Sequence, residues 1–203
     1  MKLYNSLGPN PRVVRMFLAE KGLELPLEQV DVITGENRQP DHLARNPHGQ
    51  TPVLELDDGG FLSEVLPICE YIEELHPEPA LVGATPQDRA ETRMWARRVD
   101  LNICEPLTNA YRYSGGLKLF APRMVTLPEA AEGLTRLAQD RLRWLEGQMA
   151  GRTWLCGERF TLADIHLFVF LTFSIDRGTT LEPDLANIAA WLARMSARPS
   201  AAA

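Results

Sequence analysis

The chain has 203 residues, 45% of them hydrophobic and 24% charged, which suits one large or two small globular domains with a proper core. Its net charge of −6, with no Lys/Arg tract, excludes phosphate-backbone binding, so no nucleic-acid partner is expected. No apolar run approaches the roughly 20 residues of a membrane span, and the N-terminus lacks a charged–apolar–small leader pattern.

In chain order, Lys2–Asn5 reads as a short strand. A helix opens at or near Asn10, carries Val13, Val14, Phe17 and Leu18 at helical spacing, and stops at Gly22. Leu27–Ile33 reads as a second strand, so the first thirty residues form a βαβ unit with parallel strands. Thr34–Asn46 is polar and broken, with one helical turn after Pro40. Pro52–Leu56 and Phe61-Leu62 flank Asp57-Asp-Gly-Gly60, a hairpin signal. A helix over Glu64–Leu75, with Ile68, Tyr71, Ile72 and Leu75 on one face, completes a βαβ–ββα order.

The segment His76–Pro86 holds three prolines and a glycine and reads as a linker. Residues 1–76, 77–86 and 87–203 are therefore the expected first domain, linker and all-helical second domain. Helices are predicted over Asp88–Tyr113, Pro128–Met149, Leu162–Phe173 and Asp184–Ala197, with a glycine-bearing break at Ser114–Gly116 and a frayed end at Ala201–Ala203. Thr161 and Asp164 form a capping box, and Phe160 with Ile165 a hydrophobic staple. Trp95, Trp144, Trp154 and Trp191 read as core.

Cys69, Cys104 and Cys156 are odd in number and widely spaced, with no C-x-x-C; they read as buried apolar residues in a reducing compartment, and cytoplasm is the expected location. His42, His48, His76 and His166 show no metal-ligand spacing, so no metal is expected.

The segment Asn46-Pro-His-Gly-Gln-Thr-Pro-Val-Leu54 lies directly before the hairpin. Together with the βαβ–ββα order, Leu62-Ser-Glu64, the Pro-rich linker and Leu155-Cys-Gly-Glu-Arg-Phe-Thr-Leu-Ala-Asp164, it resembles the glutathione transferase superfamily over nearly the whole chain. The ending Trp191–Ser200 is similar to the last helix of many bacterial members. The resemblance implies an α/β thioredoxin-like N-terminal domain that binds glutathione, an all-α C-terminal helical bundle and a homodimer. It implies a transferase that directs the glutathione thiolate at a small hydrophobic electrophile, or a glutathione-dependent disulfide or peroxide reductase. A non-enzymatic scaffold on the same fold is the alternative.

Carried over residue by residue, the resemblance places Thr51, before a cis Pro52, against the cysteinyl backbone of glutathione. Glu64 meets the γ-glutamyl amine, and Gln50, with Gln39 or Arg38, reaches the glycyl carboxylate. Val65 departs from the pattern: most members have a serine there, so one hydrogen bond to the γ-glutamyl carboxylate is lost. The thiolate donor is open among Asn10, Ser6 and Tyr4. Pro9-Asn10 resembles the bacterial Nu class, and Asn10 falls where the beta class has its cysteine; the strand-end tyrosine position is Asn5. Asn10 reads either as an amide donor to the thiolate or as the N-cap of its helix. Tyr111, with Arg112 and Tyr113, stands where the family places its hydrophobic-substrate pocket.

Overall fold

A computed structural model describes all 203 residues, and they divide into two compact units: Met1–Leu81 with Ala202–Ala203, and Val82–Ala201.

In the first unit the strands are β1 (Lys2–Asn5), β2 (Leu27–Gln29), β3 (Val53–Glu55) and β4 (Phe61–Ser63), in the sheet order β2-β1-β3-β4. β1 runs parallel to β2, with Leu3 opposite Leu27, while β3 is antiparallel to both β1 and β4. The parallel pair follows from the crossover helix α1 (Pro9–Glu20), whose Val13, Val14 and Phe17 are fully buried. Gly22, at φ 65, ends α1 where an L residue would be strained, and the Leu23 N–H reaches back to the Leu18 carbonyl at 2.9 Å. Helices α2 (Pro40–Arg45) and α3 (Val65–Leu75) complete the βαβ–ββα order.

Several expectations are corrected. β2 stops at Gln29 and not Ile33, because the Asp31 carboxylate accepts from the N–H groups of Ile33 and Thr34 and turns the chain. Asn10 is not the N-cap of α1: Gly8 is, and Asn10 is the second residue of the helix. Leu75, grouped with Ile68 and Ile72 on one face of α3, is 50% exposed while those two are buried. The end is not frayed, since Pro199–Ala202 forms a 3₁₀ turn and the Ala203 carbonyl accepts from Arg12 Nε at 3.3 Å.

The second unit is helical: α4 (Pro86–Val99), α5 (Glu105–Arg112), α6 (Leu117–Phe120), α7 (Ala131–Met149), α8 (Leu162–Ile175) and α9 (Ala186–Ser196). The single helix predicted over Asp88–Tyr113 is divided by a π turn at Asp100–Cys104. It lies immediately ahead of Pro106, whose ring clashes with the carbonyl four residues back in a regular helix. α8 is apolar on nearly every side and buried along most of its length. Its capping box is formed: Asp164 Oδ2 accepts from the Thr161 N–H at 3.0 Å, and Oδ1 accepts from Leu155 N–H and Trp191 Nε1. Trp95 and Trp191 are core as predicted, whereas Trp154 is half-buried and Trp144 is 36% exposed. No helix is long and apolar enough to cross a membrane.

Candidate active site

The loop that leads into β3 is built to a single shape by its own polar side chains. Asn37 Nδ2 donates to the Gly49 carbonyl at 2.6 Å, and both His42 Nε2 and Asn46 Nδ2 hold the Gln50 carbonyl at 3.0 Å. Gly49, at φ 61, is required: a Cβ there would fall 2.9 Å from the Asn37 carbonyl oxygen. This is the physical content of the Asn46–Val53 segment. It delivers Thr51 to a cis peptide bond with Pro52, the isomer that the resemblance implies.

Thr51 is the pivot. Its backbone N–H and C=O have no partner within the chain, so they stand ready for an extended ligand. Its hydroxyl meets Ser6 Oγ at 2.5 Å, a pairing between residues 45 apart in sequence. Ser6 is buried, 4% exposed, and its hydroxyl also donates to the Leu7 carbonyl at 3.2 Å. With its single proton directed to the Leu7 carbonyl and its oxygen against the Thr51 hydroxyl, Ser6 braces Thr51 and has no proton to spare for a thiolate.

Asn10 stands differently. It is half-buried at the start of α1, caps nothing, and its side-chain amide has no partner in the chain. Tyr4 is occupied: its hydroxyl donates to Glu55 Oε2 at 2.8 Å, and its ring packs with Val30 and Val53. Asn5, at the strand-end tyrosine position, is occupied as well. Its Nδ2 donates to Gln29 at 2.9 Å and its Oδ1 accepts from Arg15 at 2.5 Å. Sequence reasoning missed this network, which ties α1, β1 and β2 together. Burial, then the nearby Arg12 charge, lowers the Arg15 pKa.

At the other end of the site, Glu64 is the one non-glycine residue at positive φ, 73 with ψ 135. A conformation of this kind costs on the order of 1–3 kcal/mol and persists only where surrounding structure enforces it. It leaves the Glu64 carboxylate exposed at the start of α3, where no side chain caps the helix. The Val65 and Leu66 N–H groups are thus available to an anion, with the helix dipole behind them. Val65 itself is buried, 6% exposed. The Gln39 and Gln50 side chains are exposed, and Arg38 donates to the His48 carbonyl at 2.9 Å. The first unit therefore brings Ser6 against Thr51 and presents unengaged groups from Asn10, Thr51 and Glu64.

The three cysteines are unpaired and buried, and burial raises the thiol pKa of each. None is suited to act as a thiolate nucleophile.

Residues 3–80 match the family model described as the glutathione S-transferase N-terminal domain, and 126–199 that of the C-terminal domain. Glutathione S-transferase 2 of Saccharomyces cerevisiae is 30% identical over 198 residues, covering 95% of this chain and 84% of that protein. The chain belongs to the glutathione transferase family. FtsZ-localized protein A of Caulobacter vibrioides is also 30% identical, over 95% of this chain and 85% of its own length. Among solved structures, a glutathione S-transferase domain-containing protein of Marinobacter aquaeolei superposes with a TM-score of 0.93 at 34% identity, covering 98% of this chain and 99% of that one. As in the family generally, the first unit is the thioredoxin-like domain and the second the helical one.

Tyr111, the predicted second-substrate residue, lies in α5 of the helical unit. Its ring meets Phe173 edge-on at 5.5 Å between centroids.

Proposed function

We propose that this glutathione transferase-family protein is an enzyme that binds glutathione on its first unit and uses it as a thiolate nucleophile. The observation that carries the reading is Thr51: its two unengaged backbone groups suit the cysteinyl backbone of the tripeptide as another strand would. Glu64 takes the γ-glutamyl amine, the Val65 and Leu66 N–H groups take the γ-glutamyl carboxylate, and Gln50 with Gln39 reaches the glycyl carboxylate. The cysteinyl sulfur then lies by the start of α1, where the Asn10 amide donates to it. A donor there lowers the thiol pKa from about 8.5 and raises the nucleophilic fraction at neutral pH.

In conjugation the sulfur forms a bond to an electrophilic carbon, the leaving group departs with its electron pair, and the thiol proton passes to solvent. In disulfide reduction the thiolate displaces one sulfur to give a mixed disulfide. A second glutathione resolves it, leaving the reduced thiols and oxidised glutathione. The likeness of Pro9-Asn10 to the Nu class, which reduces disulfides with glutathione, favours reduction over conjugation; the asparagine amide serves either reaction as a donor to the thiolate. The active form is a homodimer, to be checked as twice the chain mass by light scattering.

A scaffold role is the second reading, favoured by Val65 in place of serine. One experiment separates them. The enzyme reading expects the protein to bind immobilised glutathione, elute with free glutathione, and turn over in a screen of conjugation, disulfide and peroxide substrates. Failure to bind sinks it, and binding with no turnover leaves the scaffold.

A further inference from the structure

The helical unit carries a row of aromatic rings with an arginine at each end. Tyr111 is its centre, with Phe173 at 5.5 Å and an interplanar angle of 88°, and Phe120 at 6.4 Å and 81°. The backbone comes close to keep this packing: a Cβ on Gly116 would fall 2.9 Å from the Tyr111 ring and 3.1 Å from that of Phe120. All three rings are half-buried, with part of each open to solvent.

Arg177 lies over Phe173 with its guanidinium carbon 3.6 Å from the ring centroid, and 5.2 Å from that of Tyr111. Its Nη1 donates to the Phe173 carbonyl at 3.2 Å, and no carboxylate pairs with it. At the far end Arg112 sits 5.7 Å from the Phe120 centroid, its Nη1 engaged by Asn109 and Glu105 and its enclosed Nε without an acceptor. In a protein of net charge −6, a cation without a carboxylate partner, held over an aromatic row, is a local positive spot that an anion would fill. A neutral apolar ligand would use the rings and gain nothing from Arg177.

We propose that this row binds an aromatic carboxylate, its ring against Tyr111 and Phe120 and its carboxylate on Arg177. The inference deepens the proposed enzyme reading, and rests on it for turnover, by giving the electrophile a class: an arene bearing an anionic group. Binding to the row needs no glutathione, so the two ideas fail separately.

The test compares 4-nitrobenzoate with nitrobenzene in equilibrium dialysis against the full chain, without glutathione. The wild type is expected to prefer the benzoate. Because Arg177 is exposed, Arg177→Gln should fold normally. It should lower the benzoate-to-nitrobenzene affinity ratio roughly three- to ten-fold, as befits a solvent-accessible charge-assisted contact, while Arg177→Lys keeps most of the preference. No preference in the wild type, or an unchanged ratio in Arg177→Gln, overturns the proposal. Retention on immobilised glutathione is read in parallel. A protein that binds glutathione but shows no benzoate preference refutes only this inference, and the reverse pattern refutes only the glutathione reading.

Discussion

Replacing Asn10 by alanine separates chemistry from architecture more sharply than any other single change. If Asn10 were an N-cap, its loss would cost about 1 kcal/mol of stability. Gly8 holds that position instead, and the Asn10 amide has no partner to lose. Alanine is also the better helix former, so the change in unfolding free energy should stay within about 0.5 kcal/mol. A hydrogen bond to a charged acceptor is worth about 1.5–3 kcal/mol, which corresponds to roughly one to two units of thiol pKa. Asn10 is only half-buried, and water will partly replace the amide, so the lower end applies. Ultraviolet titration of enzyme-bound glutathione should show the thiol pKa rising by about one unit. At saturating glutathione the pH profile of kcat/KM for the second substrate should move upward by the same amount, with glutathione affinity little changed. A fixed thiol pKa accompanied by a stability loss near 1 kcal/mol would refute the reasoning and return Asn10 to a structural role.

Val65→Ser should tighten glutathione several-fold in calorimetry by restoring a hydroxyl to the γ-glutamyl carboxylate, at about 1–2 kcal/mol of stability because Val65 is buried. Unchanged or weaker binding would mean that Val65 does not adjoin that carboxylate. Asp164→Ala should lose about 3–5 kcal/mol in urea unfolding, since it strands the Leu155 and Thr161 N–H groups, the Thr161 hydroxyl and the Trp191 indole in a fully buried setting; a loss below 1 kcal/mol would show that the cap is dispensable. Burial pushes the Asp164 pKa up from 3.8 to about 6, so the native state holds its proton longer than the unfolded chain does. Its contribution is therefore fully present below the unfolded value and is lost as pH rises to about 6, a change of about 3 kcal/mol. Asp164→Asn should remove that slope from the stability–pH curve, and an identical slope in both proteins would exclude Asp164 as its source.

The features legible in the sequence are those decided within a few residues. Gly22 stops α1 because a left-handed residue is needed there, Asp57–Gly60 turns the hairpin, and Thr161 with Asp164 caps α8 across one helical turn. Each depends on backbone preference and near neighbours, which the chain carries wherever it folds. The order βαβ–ββα followed from the same local signals, and the family from the motif at Asn46–Leu54. What tertiary structure alone decided is which polar groups remain free. Ser6 and Tyr4 were candidate donors by position, but packing commits both hydroxyls elsewhere: Tyr4 donates to Glu55, and Ser6 donates to the Leu7 carbonyl while it pairs with the Thr51 hydroxyl 45 residues away in sequence. Asn5 is likewise taken up by Arg15 and Gln29, whereas Asn10, a good cap by residue type, lies two residues past the cap and stays unengaged. The positive φ of Glu64 and the aromatic row around Tyr111 belong to this second kind. A side chain's availability is set by what the fold brings within about 3 Å of it, and no spacing along the chain encodes that distance.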